Sequence, residues 1–281
     1  MVSVVIPVYN GEKFVLRTIE CVLSQSFKVE QIIVIDDAST DRTQELILKE
    51  FPKEVIYHRN EKNMERCYSR NLGASLAKGE YIFFLDHDDL WEKEHVEKVL
   101  ENWGDAHIVY AFPRKYIDDE GKLMRVSKKR LPADVGVLIF SGMIGFPSAT
   151  AFKKESFEEY EDEFMLREDW EVFIRAYFKG LKIKVIDTNT VMIREHSGRT
   201  SKSRRLYEGT LKVHEIYKDR VPKEYLSYFL FHVGETCMRF ADLKRGWAFV
   251  LKALAEKPSL FLSGRRLLSL LKRGLRFYSH A

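Results

Sequence analysis

No stretch of this chain reaches the roughly 18 consecutive apolar residues of a bilayer-crossing helix, so no such span is expected. Residues 1–9 lack a cationic start followed by a long apolar core, which argues against a secretory leader. Cysteine is scarce: Cys21, Cys67 and Cys237 are odd in number and widely spaced. That excludes a disulfide framework and a thiolate metal site, and it points to a reducing, cytoplasmic setting. Two glycine signatures are missing as well. No Gly-x-Gly-x-x-Gly follows the first apolar run and no Walker lysine loop occurs, which removes the dinucleotide and P-loop readings. Neither sign of charge dominates, with 46 Lys and Arg against 42 Asp and Glu. The aromatics form core stripes and are not interleaved with basic residues, so nucleic acid is not an expected partner.

What remains is an ordinary core-forming composition, 45% hydrophobic and 31% charged, without internal repeats. Val2–Val8 reads as a strand closed by the turn pair Asn10-Gly11, and Gln31–Ile35 as a second strand. Val55–Tyr57, Tyr81–Leu85 and Ile108–Phe112 follow as further strands. Helical stripes lie between them, such as Tyr68, Leu72 and Leu76. Strand and helix alternate through short links, which predicts an α/β fold with a doubly wound, mostly parallel central sheet. After residue 112 the rhythm changes. A hairpin is expected around Asp118–Gly121, an acidic loop over Glu158–Glu163, a helix from Trp170, a strand over Ile183–Ile186 and a polar basic loop over Arg194–Arg205.

The most informative segment is Tyr81–Asp89, where an apolar strand runs into three carboxylates. Extended geometry would point Asp86 and Asp88 the same way, and hard oxygen donors at that spacing suit Mg²⁺ or Mn²⁺ shared with a phosphate. The alternative is that Asp88 or Asp89 caps a helix. Asp36-Asp37 ends the second strand, where carboxylates can accept from a ribose or a base. Capping and turn formation by Asp37, Ser39 and Asp41 is the competing account. Glu168-Asp169 opens a helix, which suits either a cap or a general base. His196 is either a metal ligand or a solvated side chain. Arg199, Lys202, Arg204 and Arg205 either close over a diphosphate as a lid or stay in solvent.

Taken in order, Val2-Ser-Val-Val-Ile-Pro-Val-Tyr-Asn10, Ile35-Asp-Asp-Ala-Ser-Thr-Asp41, Ser69-Arg-Asn-Leu-Gly73 through Glu80, Phe84-Leu-Asp-His-Asp-Asp89, Glu168-Asp-Trp-Glu171 and Arg194-Glu-His196 resemble the blocks of the family 2 glycosyltransferases. The resemblance covers about residues 1–200. It implies a GT-A fold, a nucleotide-diphospho-sugar donor and inversion at the anomeric carbon. It puts Pro7 and Asp37 beside the donor base and Asp86 by the ribose, with Asp89 in the same turn. Asp88 would bind Mn²⁺ or Mg²⁺ with His196 as a further ligand, Asp169 would be the catalytic base, and Arg70 and Asn71 would face the donor. The acidic segment Glu158–Glu163 lacks the glycine often found before the base motif, and the Gln-x-x-Arg-Trp motif of processive members is absent, which argues against polymer synthesis. UDP, GDP and dTDP donors all fit, with a glycan or lipid-linked acceptor.

The expected organisation is a catalytic domain over 1–205, with a donor half at 1–112 and an acceptor half at 113–205, and a helical extension over 206–281. Residues 241–281 carry nine basic side chains against two acidic ones. Leu267, Leu268, Leu270, Leu271, Leu275, Phe277 and Tyr278 would fill one half of a helix and Arg265, Arg266, Lys272, Arg273 and Arg276 the other. Such a helix either lies peripherally on the cytoplasmic face of an anionic membrane or packs on the catalytic domain. Two other classes stay in view: a non-catalytic binding or scaffold protein of the same fold, and an aspartyl-nucleophile phosphatase built on Asp86-x-Asp88.

Overall fold

The computed structural model describes residues 1–196, 203–262 and 270. Its first half alternates β1 (Val2–Val8), α1 (Val15–Leu23), β2 (Gln31–Asp36), α2 (Thr43–Glu50), β3 (Ile56–Arg59), α3 (Glu65–Leu76) and β4 (Tyr81–Phe84). A two-residue strand β5 (Leu90–Trp91), α4 (His95–Glu101), β6 (Ile108–Ala111) and the hairpin β7 (Lys115–Ile117) and β8 (Leu123–Val126) come next. Then follow α5 (Val135–Phe140), β9 (Thr150–Lys153), α6 (Glu168–Phe178), β10 (Ile183–Ile186) and β11 (Val191–Arg194). Helices α7 (Arg204–Tyr217), α8 (Lys223–Arg239) and α9 (Leu243–Glu256) complete the described elements.

Seven strands form one sheet in the order β10-β6-β9-β4-β1-β2-β3. Pairings β1–β2, β1–β4, β2–β3 and β6–β10 are parallel, and only β9 runs against its two neighbours. All seven residues of β1 are buried, as suits a central parallel strand covered on both faces. At Gly73 on α3, an added Cβ would lie 2.3 Å from Val5 Cγ1, so the missing side chain sets how closely α3 approaches β1. A second sheet of four strands runs β5-β11-β7-β8. Two strands were the least legible: β5 of this second sheet is too short to show a period, and β9 of the first sheet, Thr-Ala-Phe-Lys, lacks the β-branched pattern of its neighbours.

The chain divides into two compact units. The first comprises Met1–Arg130, Ile144–Asp162 and Arg175–Arg199, and holds both sheets. The second comprises Leu131–Met143, Glu163–Ile174 and residues from Thr200 onward, and contains α5, the first part of α6 and helices α7 to α9. Within it, Trp170 is buried and donates its indole N–H to the Ile139 carbonyl at 2.7 Å. Arg204 and Arg205, expected in a loop, instead open α7 behind a Ser203 cap. Arg199 and Lys202, the other two basic residues of the proposed lid, lie outside the described residues, as does all but Leu270 of the amphipathic C-terminal segment. No helix among the described residues is long and apolar enough to cross a membrane.

Burial in the first unit has a consequence for acid stability. His95 begins α4 with its ring stacked on Trp91 at 4.4 Å and Nδ1 2.7 Å from Thr190 Oγ1. Burial pulls its pKa down from 6.5 to about 3, so the folded ring stays neutral. Below pH 6.5 the unfolded chain takes up a proton that the folded chain refuses, so stability falls as pH drops from there toward 3. Urea unfolding at pH 5 rather than 6.5 should show a loss of about 2 kcal/mol from this residue. The slope should flatten in His95→Phe, which keeps a ring on Trp91 but cannot titrate. An unchanged slope in that variant would contradict the assignment.

Candidate active site

The carboxyl ends of β2 and β4, on either side of β1, lead into Asp37 and Asp86–Asp89, several of the residues singled out in the sequence, at the end of a parallel sheet where ligands bind. β1 ends at Val8, and Pro7 lies buried in it opposite Ile35. β2 ends in Asp36, which is fully buried and accepts from Arg59 Nη1 at 2.9 Å, Tyr57 Oη at 2.5 Å and the Ser39 amide at 2.8 Å. Asp36 therefore serves the fold. Asp37, next along, uses Oδ1 to accept from Asn60 Nδ2 and the Met64 amide, each at 2.7 Å. Its Oδ2 has no hydrogen-bond partner among the described residues and is available to a ligand's N–H. Of the competing capping account, Asp41 fits: it accepts from the Thr43 amide at the start of α2. Asp37 does not cap that helix.

Three non-glycine residues around this edge hold positive φ: Asn10 at 51°, Ala38 at 62° and Glu65 at 67°. Each such conformation costs about 1 kcal/mol or more, and such strain concentrates at ligand sites. Asn10 is held by its own hydrogen bonds, donating its amide to Ser39 Oγ at 2.9 Å and accepting from the Thr40 amide at 2.8 Å.

β4 ends at Phe84, earlier than expected, and Asp86–Asp89 is a turn closed by the Asp89 amide donating to the Asp86 carbonyl at 3.0 Å. The alternation expected of an extended segment is therefore lost, and Asp86 and Asp88 take different partners. Nor is the turn a helix start: β5 follows it, and α4 begins only at His95. Asp86 pairs with Arg70 Nη2 at 2.9 Å, a guanidinium that is 3% exposed and lies 5.3 Å from the Tyr160 ring centroid. Asn71, beside it on α3, exchanges two hydrogen bonds of 2.9 Å with the Tyr160 backbone. Asp88 Oδ2 lies 2.8 Å from His196 Nε2.

The antiparallel pairing of β5 with β11 explains that last contact. Trp91 opposes Val191 and Leu90 opposes Met192, so the residues before Leu90 run beside those after Met192. The Arg194 amide accordingly donates to Asp89 Oδ1 at 2.8 Å, and His196 arrives at Asp88. Arg194 was expected in a polar loop but is 1% exposed at the end of β11. Its Nε donates to the Asp88 carbonyl at 2.6 Å, and its Nη1 to the carbonyls of Asp118 and Asp119 at 2.6 and 2.8 Å. One buried guanidinium thus ties the acidic turn to the β7–β8 hairpin.

Three carboxylates in four residues must be stabilised separately. Asp86 has Arg70. Burial works to raise Asp88, but the His196 hydrogen bond and the nearby His87 and His196 rings outweigh it and bring its pKa down to about 2. Asp89 carries the remaining repulsion. It is buried, and first desolvation, then the charges of Asp88 and Asp86, push its carboxyl well above the usual range. Ser148 Oγ donates to its Oδ2 at 2.6 Å in partial compensation. Ser148 and Arg194 are the two supports that sequence reasoning missed. Arg194 carried a signal, its place in the Arg-Glu-His block, whereas Ser148 carried none.

The donor chemistry of the acidic turn fits a divalent cation. Asp88 offers a charged oxygen, 22% exposed on its side chain, and His196 an imidazole nitrogen already aimed at the same point. No group of three or more such ligands occurs among the described residues, so further positions would fall to ligand oxygens and water. Cys21 and Cys237 offer no nucleophile, because burial pushes their thiols up to about 12 and about 11.

Gly11 fixes how closely the first turn approaches the acidic one. A Cβ there would fall 2.4 Å from Val8 Cγ2 and 2.8 Å from His87 Cδ2. Gly11→Ala is therefore expected to displace His87, lower stability by about 1–3 kcal/mol and weaken nucleotide binding. Thermal melts and nucleoside-diphosphate titration of the variant check this. An undisturbed melt and unchanged affinity would show that the two turns have room to separate.

Asp169 belongs to the second unit. It is the second residue of α6, directly after a 3₁₀ turn over Asp162–Arg167, and so does not occupy the flanking cap position. Of the three acids in that first turn, Glu168 and Glu171 are buried, and Glu171 accepts from Tyr217 Oη. Asp169 alone is partly open to solvent.

Among curated proteins, the UDP-Glc:α-D-GlcNAc-diphosphoundecaprenol β-1,3-glucosyltransferase WfaP of Escherichia coli is 25% identical over 201 residues, covering 72% of this chain and 80% of its own. The amylovoran biosynthesis glycosyltransferase AmsB of Erwinia amylovora is 28% identical over 66% of each chain. Among solved structures, residues 1–349 of TarS from S. aureus superpose with a TM-score of 0.64 at 18% identity, covering 93% of this chain and 91% of that one. The mannosyltransferase PcManGT of Pyrobaculum calidifontis, solved with GDP-Man and Mn²⁺, gives 0.64 at 15% identity, covering 99% of this chain and 82% of that one. These superpositions establish a GT-A fold with a mostly parallel central sheet and C-terminal helices. Residues 3–161, more than half of the 281, match the glycosyl transferase family 2, and with the named relatives this establishes that the chain belongs to that family of glycosyltransferases.

Proposed function

We propose that this glycosyltransferase is an inverting, non-processive enzyme that moves a sugar from a nucleotide-diphospho-sugar to an acceptor hydroxyl. The observation that carries the reading is the convergence of Asp88 Oδ2 and His196 Nε2, 2.8 Å apart, after β4 in the sheet whose strand β2 leads into Asp37, with one carboxylate oxygen left open to a ligand. Asp88 and His196 would hold Mn²⁺ or Mg²⁺, which supplies Lewis-acid neutralisation of the departing diphosphate.

The donor half, residues 1–112, binds and orients. The open Asp37 oxygen accepts an imide-type N–H of the nucleobase, with Pro7 in the neighbouring strand β1. Asp86, pinned by Arg70, is the carboxylate assigned to the ribose. Asp89 keeps the turn in shape from its buried position between Ser148 and Arg194, so its part is to support the metal pair rather than to touch the sugar. Asn71 acts on the Tyr160 backbone and thereby shapes the wall that Arg70 stacks against.

The acceptor half, residues 113–205, supplies the base. Asp169 takes the acceptor proton as the hydroxyl attacks the anomeric carbon, and the C1–O bond to the diphosphate breaks on the opposite face. The donors named for relatives and solved complexes, UDP-Glc, UDP-GlcNAc and GDP-Man, span two nucleobases. WfaP's name specifies a diphosphoundecaprenol-linked sugar as acceptor, and a lipid-linked glycan is the acceptor class proposed here. The test is incubation with a panel of nucleotide sugars and polyprenyl-diphosphate glycans, reading nucleoside diphosphate release with Mn²⁺ and with EDTA. Release that requires both acceptor and cation supports the reading. Failure of every donor to bind would leave a non-catalytic protein of the same fold.

A further inference from the structure

We propose that the β7–β8 hairpin is a docking surface for an anionic lipid bilayer. β8 is the outer strand of the four-stranded sheet, and all four of its residues are exposed. Leu123, Met124 and Val126 are 50%, 54% and 45% exposed, an apolar row on a strand whose outer edge pairs with nothing among the described residues. Such an edge is normally blunted or covered.

Charge decides what covers it. Lys122, Lys128 and Arg130 flank the row, and none has an acidic partner among the described residues. Arg125 in its middle is half-exposed, lies 3.5 Å over the Tyr116 ring and pairs with Glu195. The acids of the hairpin are confined to its tip and largely occupied. Asp119 pairs with Lys13, and Asp118 Oδ1 accepts the amides of Glu120 and Lys122, leaving Glu120 as the exposed charge. A strand of three exposed aliphatic side chains between three uncompensated cations matches an anionic interface, where the aliphatic groups enter the headgroup boundary and the cations meet phosphate. An acidic tip requires the strand to lie along the surface rather than insert end-on.

The hairpin is also fastened to the candidate site, because Arg194 bonds the Asp118 and Asp119 carbonyls with one end and the Asp88 carbonyl with the other. Docking through β8 would therefore hold the acidic turn near the lipid surface. The inference does not rest on the transferase reading, since vesicle binding is measured without donor and its failure leaves catalysis untouched.

The experiment is co-sedimentation of the full chain with phosphatidylcholine vesicles, with and without 30% phosphatidylglycerol, alongside two variants. One replaces the aliphatic row, Leu123→Ser with Met124→Ser and Val126→Ser, and the other removes charge, Lys122→Gln with Lys128→Gln and Arg130→Gln. All six side chains are exposed, and unchanged circular dichroism confirms folding. Binding should require the anionic lipid. The charge variant should lose about a hundredfold in partitioning if each cation contributes about fivefold. The aliphatic variant should lose at least tenfold, and 0.5 M salt should weaken wild-type binding. Equal binding to neutral vesicles, or anionic binding unchanged in both variants, overturns the proposal. So does a wild-type dimer in solution that the aliphatic variant abolishes, which would assign the edge to a second copy of the chain.

Discussion

Replacing Asp88 with alanine is expected to make donor binding indifferent to Mn²⁺ and to lower turnover by about 10²–10³-fold, the usual cost of removing a preorganised charge stabiliser. The expectation follows from where the three carboxylates of the turn are engaged. Asp86 is committed to Arg70, and Asp89 is buried between Ser148 and the Arg194 amide, so neither can replace the missing ligand. Asp88 alone combines a low pKa, partial exposure and a histidine nitrogen facing the same space. The apo protein should lose little stability. The substitution removes one hydrogen bond, to His196, worth about 1 kcal/mol, while relieving the repulsion that raises Asp89. Titration calorimetry of a nucleoside diphosphate with and without Mn²⁺ reads the first effect, and melts of the apo protein read the second. If Asp88→Ala retained a Mn²⁺-dependent affinity, the cation would have to bind elsewhere and the assignment to Asp88 and His196 would fail.

The parallel half of the fold was legible because burial on both faces leaves its mark in single strands. Val2–Val8 and Tyr81–Phe84 are almost wholly apolar, and glycine or paired acids end the runs. The hairpin was legible at residue level, since Lys115–Ile117 and Leu123–Val126 flank a turn of Asp and Gly. The strands that assemble the site were not. β5 has two residues, and its pairing with β11 joins segments about a hundred residues apart, a contact that no local pattern encodes. That pairing brings His196 to Asp88 across 108 residues, so the histidine could be nominated from its motif but not placed. Arg194 was misplaced for a related reason. Its neighbours Glu195, His196 and Ser197 are polar, and only the strand pairing shows that the guanidinium is needed inside, donating to three backbone carbonyls. The acidic turn defeated the extended-strand reading because Asp86–Asp89 closes its own hydrogen bond and re-aims each carboxylate separately.

Asp169→Asn is expected to leave nucleoside-diphosphate binding nearly intact while lowering transfer by about 10²–10⁴-fold, the span a general base supplies. Asparagine matches the carboxylate in size but cannot take a proton. The first turn of α6 makes this substitution discriminating. Glu168 and Glu171 are buried and serve the interior of the second unit, and Asp169 is the one acid of the turn that an acceptor could reach. Its charge also has a structural use. It helps keep the half-buried Arg167 protonated, although desolvation pulls that guanidinium down to about 10, and it sits where the helix dipole favours an anion. Loss of the charge should therefore cost about 1 kcal/mol of stability, small beside the change in rate. The two roles separate in one experiment, because a structural acid and a base predict different pH profiles. Wild-type transfer should fall as the base protonates on the acidic side, whereas the residual activity of Asp169→Asn should show no such limb. Near-normal transfer by the asparagine variant, with the acidic limb retained, would mean that Asp169 only stabilises the start of α6 and that the acceptor proton goes elsewhere.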